Sequence, residues 1–299
     1  MDLSVVVPTL NDRDELRRCL DALAAEDSTE TIVVNGPSTD GTSGMVRDHE
    51  AADVLVEIDE RNANVARNAG LDRSRGDAVA FVNPSLTVEP GWRAAAVETL
   101  ADTDVATGPT HEELRAGVAT DSVESRTIRG RSVTYFNGGN VAFDREAIEA
   151  IDGFDEYLDT GGARDAAHRL AAQDFGVAWS AEMCVSRETA ADGGLAERDW
   201  TSRYRSLSYR LAKNYGFHPT VPYRTVRHAM ADAYSTLRDV ASGDAKPTSW
   251  FGNGRSVLVG SVDGYADGIR ARYADRSTQR NPNGWSDRTD RAVAVYDNR

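Results

Sequence analysis

Polar residues follow the ends of three apolar runs in the first third of the 299-residue chain. They are residues 8–11 (PTLN), 35–42 (NGPSTDGT) and 83–85 (NPS). Ligands of open parallel sheets bind outside the carboxyl ends of the strands, so these three segments could contact one ligand. The first run is not followed by GxGxxG, and GxxxxGK[ST] does not occur, which disfavours a dinucleotide oxidoreductase or a P-loop enzyme. The sequence therefore indicates a ligand site of another kind.

A second group of ionisable residues lies in the segment 161–170, which reads GGARDAAHRL. Asp165 or His168 could accept a proton from a hydroxyl group. Arg164 and Arg169 could stabilise negative charge on a leaving group. The position of Asp165 near a helix N-terminus would lower its pKa and make it a weaker base. A salt bridge from Asp165 to Arg169 explains both residues without catalysis, and His168 could equally be a packing residue.

Short β-branched runs alternate with helical patterns over the first third of the chain. This alternation predicts an α/β fold with a parallel sheet and right-handed crossovers. We expect strands at 3–9, 31–35, 53–58 and 77–83, and helices at 12–25, from 41, at 64–73 and at 91–101.

The strand pattern continues to about residue 188, and a helical region follows it. The runs DVATGP, VTYFNGGNVAF and VAWSAEMCV are expected to be strands, with a helix at 163–173 before the last. We therefore predict an α/β domain over residues 1–195 and a helical, basic C-terminal extension over residues 196–299. Helices of the extension are expected at 200–215, 222–241 and 254–273.

Four parts of the chain resemble glycosyltransferase family 2, in the order in which that family carries them. They are SVVVPTLN at 4–11, VVNGPSTDGT at 33–42, ARNAG at 66–70 with RGDAVAFVN at 75–83, and FNGGNVAFDREAIEAIDGFDE at 136–156. The resemblance implies the GT-A fold, a Rossmann-like, mostly parallel sheet flanked by helices. It also implies transfer of a sugar, with inversion, from a nucleoside diphosphate to a glycan or lipid-linked acceptor. STDGT alone would predict only a turn and a helix cap.

The same resemblance assigns nucleotide-sugar contacts to residues near the strand ends. Pro8, Thr9 and Asn11 would lie beside the base and the ribose. Asn35 stands where the family usually carries an aspartate, and an amide there keeps hydrogen bonds but not the charge. Arg67 could neutralise phosphate charge, and a surface helix arginine is the alternative. The whole predicted set is Pro8, Thr9, Asn11, Asn35, Asp40, Arg67, Asn68, Asn83, Ser85, Arg164 and Arg169.

The acidic residues that the family uses for metal binding and for catalysis are replaced in this chain. Asn83-Pro84-Ser85 stands where the family carries the DxD that holds Mg²⁺ or Mn²⁺. Amides and hydroxyls bind hard divalent ions less well than carboxylates, so we expect weak binding of these metals. Gly162 and Ala163 stand at the family's Glu-Asp pair, which leaves Asp165 or His168 as the candidate base. The spacing of the histidines and cysteines indicates no metal site.

Charge is distributed unevenly along the chain. The net charge is −14, and Lys213 and Lys246 are the only lysines among 34 basic residues. Such an acidic, arginine-rich composition resembles that of proteins from salt-loving organisms, in which concentrated salt screens repulsion between carboxylates. Residues 1–199 hold 18 basic and 39 acidic residues, whereas residues 200–299 hold 16 and 9. The basic C-terminal third is a candidate contact for phosphates or for an anionic membrane.

Residues 200–215 carry an apolar stripe with basic residues beside it. A basic amphipathic helix of this kind could lie on an anionic membrane as a peripheral contact. Packing of the same stripe against the α/β domain is the alternative. Gly260, Gly264 and Gly268, four residues apart, predict a close contact between two helices. The stripe consists of Trp200, Tyr204, Leu207, Leu211 and Tyr215.

These features together predict a cytoplasmic glycosyltransferase that works at the inner membrane face. Cys19 and Cys184 fit a reducing compartment, MDLSVVVPTL lacks a basic leader, and no apolar run is long enough to span a bilayer. A catalytically silent binding protein of the same fold is the alternative, because neutral residues occupy the acidic positions. A sugar-phosphate nucleotidyltransferase is disfavoured, since the first run lacks a glycine-rich, arginine-containing turn. No nucleic-acid partner is expected.

Overall fold

The structure, a computed structural model, describes residues 1–26, 29–112, 123–187, 199–219, 223, 225–227, 230 and 247–299, with the backbone alone for 247–253. Its strands are β1 (Leu3–Thr9), β2 (Thr29–Asn35), β3 (Val54–Glu57), β4 (Ala78–Val82), β5 (Thr87–Val88), β6 (Val105–Thr107), β7 (Thr110–Glu112), β8 (Ser125–Ile128), β9 (Arg131–Thr134), β10 (Asn140–Asp144), β11 (Val177–Trp179), β12 (Val185–Arg187) and β13 (Ala294–Asp297). Its α-helices are α1 (Arg13–Ala24), α2 (Thr42–Arg47), α3 (Ala63–Leu71), α4 (Trp92–Leu100), α5 (Arg145–Ala150), α6 (Gly162–Leu170), α7 (Trp200–Tyr215) and α8 (Pro247–Ala274).

An eight-stranded sheet forms the centre of the protein, in the order β11-β6-β10-β4-β1-β2-β3-β13. β1 pairs in parallel with β2 and β4, whereas β10 and β13 pair antiparallel with their neighbours. Val5, Val6 and Val7 are fully buried, because successive side chains of β1 enter apolar cores on the two faces of the sheet. The predicted α/β fold with a mostly parallel sheet is therefore confirmed.

Helix α3 lies unusually close to the centre of this sheet. It begins after Asn62, whose side chain accepts a hydrogen bond from the backbone N–H of Asn64 at 2.8 Å. Gly70 faces β1, and a Cβ atom at this position would lie only 2.3 Å from Cγ1 of Val6. The absence of a side chain at Gly70 thus allows α3 to lie directly against β1, which brings Arg67 to the strand ends.

Helices α7 and α8 pack tightly against each other. Cβ atoms added at Gly260, Gly264 and Gly268 would lie 2.4, 2.1 and 2.4 Å from backbone oxygens of α7. Such distances leave no room for a side chain, so the two helix backbones approach closely at all three positions. The close helix contact predicted from the glycine spacing is therefore confirmed.

The apolar stripe of α7 faces the interior of the protein. Tyr204 is 0%, Leu207 8%, Leu211 4% and Tyr215 5% exposed, and all four belong to the core beneath the sheet. The predicted membrane contact through this stripe is therefore wrong, because the side chains that would enter the lipid contact the sheet domain instead. In the part of the chain that the structure describes, no helix is long and apolar enough to cross a membrane.

The C-terminal tail returns to the large sheet. β13 pairs antiparallel with β3, and Val295 stands opposite Val56. Arg291 is buried and pairs with Glu156 and, at 3.3 Å, with Asp72. The C-terminal extension is thus not wholly helical, since its last residues complete the sheet. A division of the chain near residue 195 stays a prediction.

Two expected strands are divided in the structure. VTYFNGGNVAF contributes β9 and β10, which are separated by a turn in which Asn137 accepts a hydrogen bond from the backbone N–H of Gly139 at 3.0 Å. VAWSAEMCV contributes β11 to the large sheet and β12 to a three-stranded sheet. The helix predicted at 222–241 lies mostly outside the described residues.

Candidate functional site

A crevice of about 230 Å³ opens at the carboxyl ends of β1 and β4, and we call it the rim crevice. Pro8 and Thr9 of β1 form one wall, Asn83 follows β4, and Arg67 and Gly138 line the side next to α3. Open parallel sheets bind their ligands at this edge. The lining is completed by Leu10, Asp12, Gly36, Ile58, Glu60, Arg61, Asn62, Ala63, Ala66 and Pro84.

Two polar side chains at the rim crevice each carry an atom that forms no hydrogen bond within the part of the chain that the structure describes. Thr9 Oγ1 and Arg67 Nε are buried without a hydrogen-bond partner among the described residues. Arg67 is held in place by donating to Asn64 Oδ1 at 2.9 Å and to the carbonyl of Gly138 at 3.2 Å. Burial lowers the pKa of Arg67 to about 10, so the group stays charged at neutral pH. Buried polar groups are rarely left unpaired, which favours a ligand at this position.

Three other predicted contact residues shape the loops behind the crevice. Asn35 is buried; it donates to Ser43 Oγ at 2.9 Å and accepts from Ser38 Oγ at 2.7 Å. Asn11 Oδ1 accepts from the backbone N–H of Thr39 at 2.8 Å. The carboxylate of Asp40 accepts from the backbone N–H of Thr42 at 3.1 Å and of Arg13 at 3.0 Å. Asp40 thus bonds to the first backbone N–H of both α1 and α2, although Gly41 is the N-cap residue of α2.

Asn68 also serves the scaffold and does not line the rim crevice. Its amide nitrogen donates to the carbonyl of Phe154 at 2.9 Å and to Glu156 Oε1 at 2.7 Å, and its oxygen accepts from the backbone N–H of Phe154 at 2.9 Å. These three bonds fix the segment after α5 to α3. The predicted contact of Asn68 with a nucleotide is therefore wrong for this conformation, because its side chain is fully buried and paired.

The segment Asn83-Pro84-Ser85 does not fit a hard divalent ion. Asn83 Oδ1 accepts hydrogen bonds from the backbone N–H of Ser85 at 3.0 Å and from its hydroxyl at 2.8 Å. The amide oxygen is thus engaged within its own turn, and neither side chain carries the negative charge that Mg²⁺ or Mn²⁺ prefers.

The packing at the start of α6 gives a physical reason for the absence of the Glu-Asp pair that the resemblance implies at Gly162 and Ala163. A Cβ atom at Gly162 would lie 2.3 Å from Asn64 Oδ1, so the place of an acidic side chain is filled by this amide. Asn64 is fixed there by donating to the carbonyl of Leu158 at 2.7 Å. Ala163 packs against Gly138, where a Cβ atom would lie 2.8 Å from that of Ala163. The first turn of α6 therefore adjoins the rim crevice without presenting a carboxylate there.

Asp165 lies in a closed group of charges, which we call the ionic cluster: Asp155, Asp165, Arg169 and Lys213. Asp165 accepts from Arg169 Nε at 2.9 Å and Lys213 Nζ at 2.7 Å, and Lys213 also reaches Asp155 at 2.5 Å. All four side chains are fully buried. Burial raises the pKa of Asp165, but Lys213 and Arg169 outweigh it and hold the pKa well below the usual range.

This placement bears on two predicted roles. The salt bridge between Asp165 and Arg169 is confirmed at 2.9 Å. As placed here, Asp165 is unsuited to act as a base, because its carboxylate has no exposed surface and a strongly lowered pKa. The guanidinium of Arg169 is also fully buried, so its burial gives no support to the predicted contact with a nucleotide.

His168 is likewise a buried packing residue. Its Nδ1 lies 2.8 Å from the hydroxyl of Tyr215, and its ring contacts Tyr135 and Tyr215 edge-on. Burial and then the charge of Arg210 lower the pKa of His168 to about 3. A neutral imidazole with so low a pKa is a weak proton acceptor, which argues against the predicted catalytic role.

Arg164 and several residues without a sequence prediction do reach open cavities. Arg164 is half-exposed, lies over the Tyr135 ring and lines two cavities next to the rim crevice. Asp12 and Glu60 are carboxylates that line the rim crevice itself. Burial and, less strongly, Asp40 raise the pKa of Asp12. The sequence positions of Asp12 and Glu60 could have indicated this location. Each follows the end of a parallel strand, β1 or β3, and ligands bind at such strand ends.

A possible cation site lies away from the rim crevice, on the three-stranded sheet. One ligand atom each of Glu89, His111 and Cys184 lies within 4.8 Å of the other two. His111 Nδ1 and Glu89 Oε1 are 2.7 Å apart, which an ordinary hydrogen bond also explains. Nitrogen, sulfur and carboxylate ligands suit zinc better than Mg²⁺ or Mn²⁺. The spacing of these three residues in the sequence could not reveal the group, because they lie in or next to three separate strands, β5, β7 and β12.

Sequence comparisons identify glycosyltransferases among the proteins similar to this chain. Residues 4–150 match the family described as Glycosyl transferase family 2. Glycosyltransferase AglE of Haloferax volcanii is 25% identical over 178 residues, which cover 54% of this chain and 58% of AglE. Pre-mycofactocin glycosyltransferase of Mycobacterium tuberculosis is 25% identical over 218 residues, which cover 68% of this chain and 45% of that protein. The chain thus spans about half the length of these curated relatives.

Solved structures show the same fold at low sequence identity. The mannosyltransferase PcManGT from Pyrobaculum calidifontis, in complex with GDP-Man and Mn²⁺, has a TM-score of 0.57 and 19% identity, over 89% of this chain and 87% of its own. TarS of S. aureus, in complex with UDP-GlcNAc, has a TM-score of 0.60 and 14% identity, over 91% of this chain and 92% of its own. The likeness confirms the predicted GT-A fold.

Proposed function

We propose that this chain is a member of glycosyltransferase family 2 and transfers a sugar from a nucleoside diphosphate held in the rim crevice to a glycan or lipid-linked acceptor. The crevice itself carries the proposal, because it lies at the ligand-binding edge of the sheet and within the matched residues 4–150. Thr9 Oγ1 and Arg67 Nε lack partners in the described part of the protein, and a bound ligand would satisfy both.

The proposed donor is a UDP-sugar or a GDP-sugar. Solved structures of the same fold contain UDP-GlcNAc in TarS and GDP-Man in PcManGT, which supports this class of donor. Pro8 and Thr9 would contact the nucleoside, and Arg67 would pair with the diphosphate. An arginine can bind phosphate through two parallel hydrogen bonds, so Arg67 can fix the orientation of the donor as well as its charge.

In the proposed reaction an acceptor hydroxyl oxygen attacks the anomeric carbon from the face opposite the diphosphate. A new C–O bond forms while the bond from that carbon to the diphosphate oxygen breaks, and the nucleoside diphosphate leaves with the electron pair. Configuration at the anomeric carbon is thereby inverted. Arg67 would stabilise the charge that develops on the leaving group. The hydroxyl proton would pass to a carboxylate, for which Asp12 and Glu60 line the crevice.

A second candidate function is nucleotide binding without turnover. Its motivation is that Asp165 and His168 are both buried, while neutral residues occupy the positions at which the resemblance implies carboxylates. Such a protein would bind a sugar nucleotide or a partner transferase during glycan assembly. The two candidates differ in whether any donor is consumed.

Transfer and hydrolysis of UDP-sugars and GDP-sugars, measured with and without EDTA in concentrated salt, test the two candidates. The wild type is compared with Arg67→Gln and with Arg73→Gln, a control just beyond α3 that does not line the crevice. Turnover that persists in EDTA and falls in Arg67→Gln alone supports the transferase. Nucleotide binding without turnover of any donor supports the silent protein, and a folded chain that binds no nucleotide contradicts both.

A further inference from the structure

A second cavity, lined by arginines, lies beside the start of α6. It has a volume of about 380 Å³ and is enclosed by the β8–β9 hairpin, α6 and α7. In its lining, Glu124 is the sole carboxylate among the described residues. Four guanidinium groups around one cavity are unexpected in a chain with a net charge of −14. We call this cavity the basic pocket, after Arg126, Arg164, Arg203 and Arg210.

Arg210 is the most constrained of the four arginines. Its Nε is buried and has no hydrogen-bond partner in the described part of the chain. Its guanidinium lies over Gly161, where a Cβ atom would be 2.7 Å from Arg210 Nη1. Burial and then the charge of Arg164 lower the pKa of Arg210 to about 10. A buried cation that other cations repel is stabilised when an anion binds beside it.

Among the described residues of the lining, the carboxylate of Glu124 is shared between two of the arginines. Glu124 pairs with both Arg126 and Arg164, the latter at 3.2 Å. Arg210, by contrast, forms no salt bridge with any residue that the structure describes. Gly161 and Arg164 belong to the N-terminal turn of α6, whose backbone dipole adds partial positive charge.

The basic pocket and the rim crevice are linked through neighbouring lining residues. A third cavity of about 170 Å³ shares Glu124 and Arg164 with the basic pocket and is also lined by Asn137. The next residue, Gly138, lines the rim crevice and touches Ala163 of α6. A molecule that is anchored in the basic pocket can therefore extend toward a sugar nucleotide in the rim crevice.

We propose that the basic pocket binds a phosphate group of the acceptor, and that Arg203 and Arg210 select phosphorylated acceptors over neutral ones. This inference rests on the proposed transferase function and adds the chemical class of its acceptor. Guanidinium groups bind phosphate oxygens in pairs of charge-assisted hydrogen bonds, which a neutral hydroxyl cannot match. The pocket is large enough for part of the group that carries the phosphate. That group is either an isoprenoid lipid or a soluble sugar.

The test measures binding of geranyl phosphate and glucose 1-phosphate to the full chain, with geraniol and glucose as neutral controls. Titrations use the wild type, Arg203→Gln, Arg210→Gln and the control Arg205→Gln, at one fixed salt concentration. Arg205 lies on the same helix, but it pairs with Asp267 at 3.2 Å and does not line the pocket. We expect at least one phosphate compound to bind, with affinity about tenfold lower in Arg203→Gln and Arg210→Gln. Arg205→Gln should bind like the wild type.

The outcomes separate this inference from the proposed function. Preference for geranyl phosphate supports a lipid acceptor, and preference for glucose 1-phosphate supports a soluble one. The pocket assignment is overturned if UDP or GDP binds but neither phosphate does, or if both pocket variants bind phosphate like the wild type. Phosphate binding without any nucleotide binding would instead contradict the transferase. Arg203→Gln changes an exposed residue and keeps the test decisive should Arg210→Gln fail to fold.

Discussion

The rim crevice and the ionic cluster both contain arginine and carboxylate side chains. These side chains line a cavity in the rim crevice, whereas they are closed off from solvent in the ionic cluster. In the rim crevice, Arg67 lines the cavity, is held by two hydrogen bonds, and has no partner for its Nε among the described residues. In the ionic cluster, Asp165 is fully buried and both of its oxygens are engaged by Arg169, Lys213 and Asn214. The first arrangement leaves charge available to a ligand, whereas the second uses charge to hold α6 against α7.

The contrast shows why a motif position does not by itself make a residue catalytic. Asp165 lies one turn into α6, near the position at which the resemblance implies a catalytic base. Helix α7 nevertheless covers Asp165 and supplies Lys213 as its counter-ion. A buried ion pair is costly to break, because the charge that remains has neither water nor partner.

Lys213→Met should have the largest effect on the stability of the protein. It would leave Asp155 without its lysine partner and remove one of the two cations bound to Asp165. Removal of one partner from a buried pair typically costs about 3–5 kcal/mol. Urea denaturation of Lys213→Met and of the exposed control Arg203→Gln measures the difference. Equal free energies of unfolding would show that the ionic cluster does not hold α7 in place.

The free energy of unfolding should also depend on pH through the ionic cluster. We expect this pH effect to be no larger than the effect of Lys213→Met. The folded pKa of Asp165 is lowered, so its stabilising contribution is complete above its unfolded pKa of about 4 and is lost as the pH falls below that value. Unfolding free energies measured between neutral pH and strongly acidic pH should fall more steeply for the wild type than for Asp165→Asn. Parallel curves would contradict the lowered pKa.

Gly264→Ala should weaken the contact between α7 and α8. A Cβ atom there would lie 2.1 Å from the backbone oxygen of Arg205, and forced overpacking typically costs about 1–3 kcal/mol. Gly254→Ala is the matched control in the same helix, since nothing lies within 4 Å of its added Cβ atom. The control should be neutral or slightly stabilising because alanine favours helix. Equal melting temperatures of both variants would contradict the close packing.

The prediction for Arg67→Gln concerns affinity rather than stability. Loss of a charge-assisted hydrogen bond to the diphosphate should weaken nucleotide binding by about tenfold or more. The substitution also removes the guanidinium that bonds to Asn64 and Gly138, so the melting temperature is measured in parallel to show that the variant is folded. Calorimetric titration with UDP and GDP measures the effect. A variant that binds like the wild type would remove Arg67 from the site.

The smallest expected effect is that of EDTA. Asn83 and Ser85 are neutral and bond to each other, so chelation should change the affinity for UDP and GDP by less than about twofold. Titrations with EDTA and with added Mn²⁺ test this. A large gain in affinity with Mn²⁺ would show that other ligands, such as Asp12 or Glu60, complete a metal site.

Much of the sheet could be predicted from the sequence, because β-branched runs buried on both faces leave a clear local signal. β1, β2 and β4 appear where Leu3–Thr9, 31–35 and 77–83 predict them. The positions of Pro8, Thr9, Arg67 and Asn83 at the rim crevice follow from the same topology.

The remainder depends on contacts between residues far apart in the chain. The burial of Asp165 and His168 depends on α7, which begins some 30 residues later in the sequence. The space at Gly162 is taken by Asn64, and the tail strand β13 pairs with β3. The basic pocket likewise gathers arginines from a hairpin and two helices. No local pattern encodes these juxtapositions.

The central claim is that the rim crevice binds a sugar nucleotide even though the expected carboxylates are absent. The most direct measurement is calorimetric titration of UDP-sugars and GDP-sugars into the folded chain in concentrated salt, with Arg67→Gln and Arg73→Gln in parallel. We predict saturable binding of at least one donor, weakened in Arg67→Gln and unchanged in Arg73→Gln. Folded wild-type protein that gives only the heat of dilution with every donor would contradict the claim.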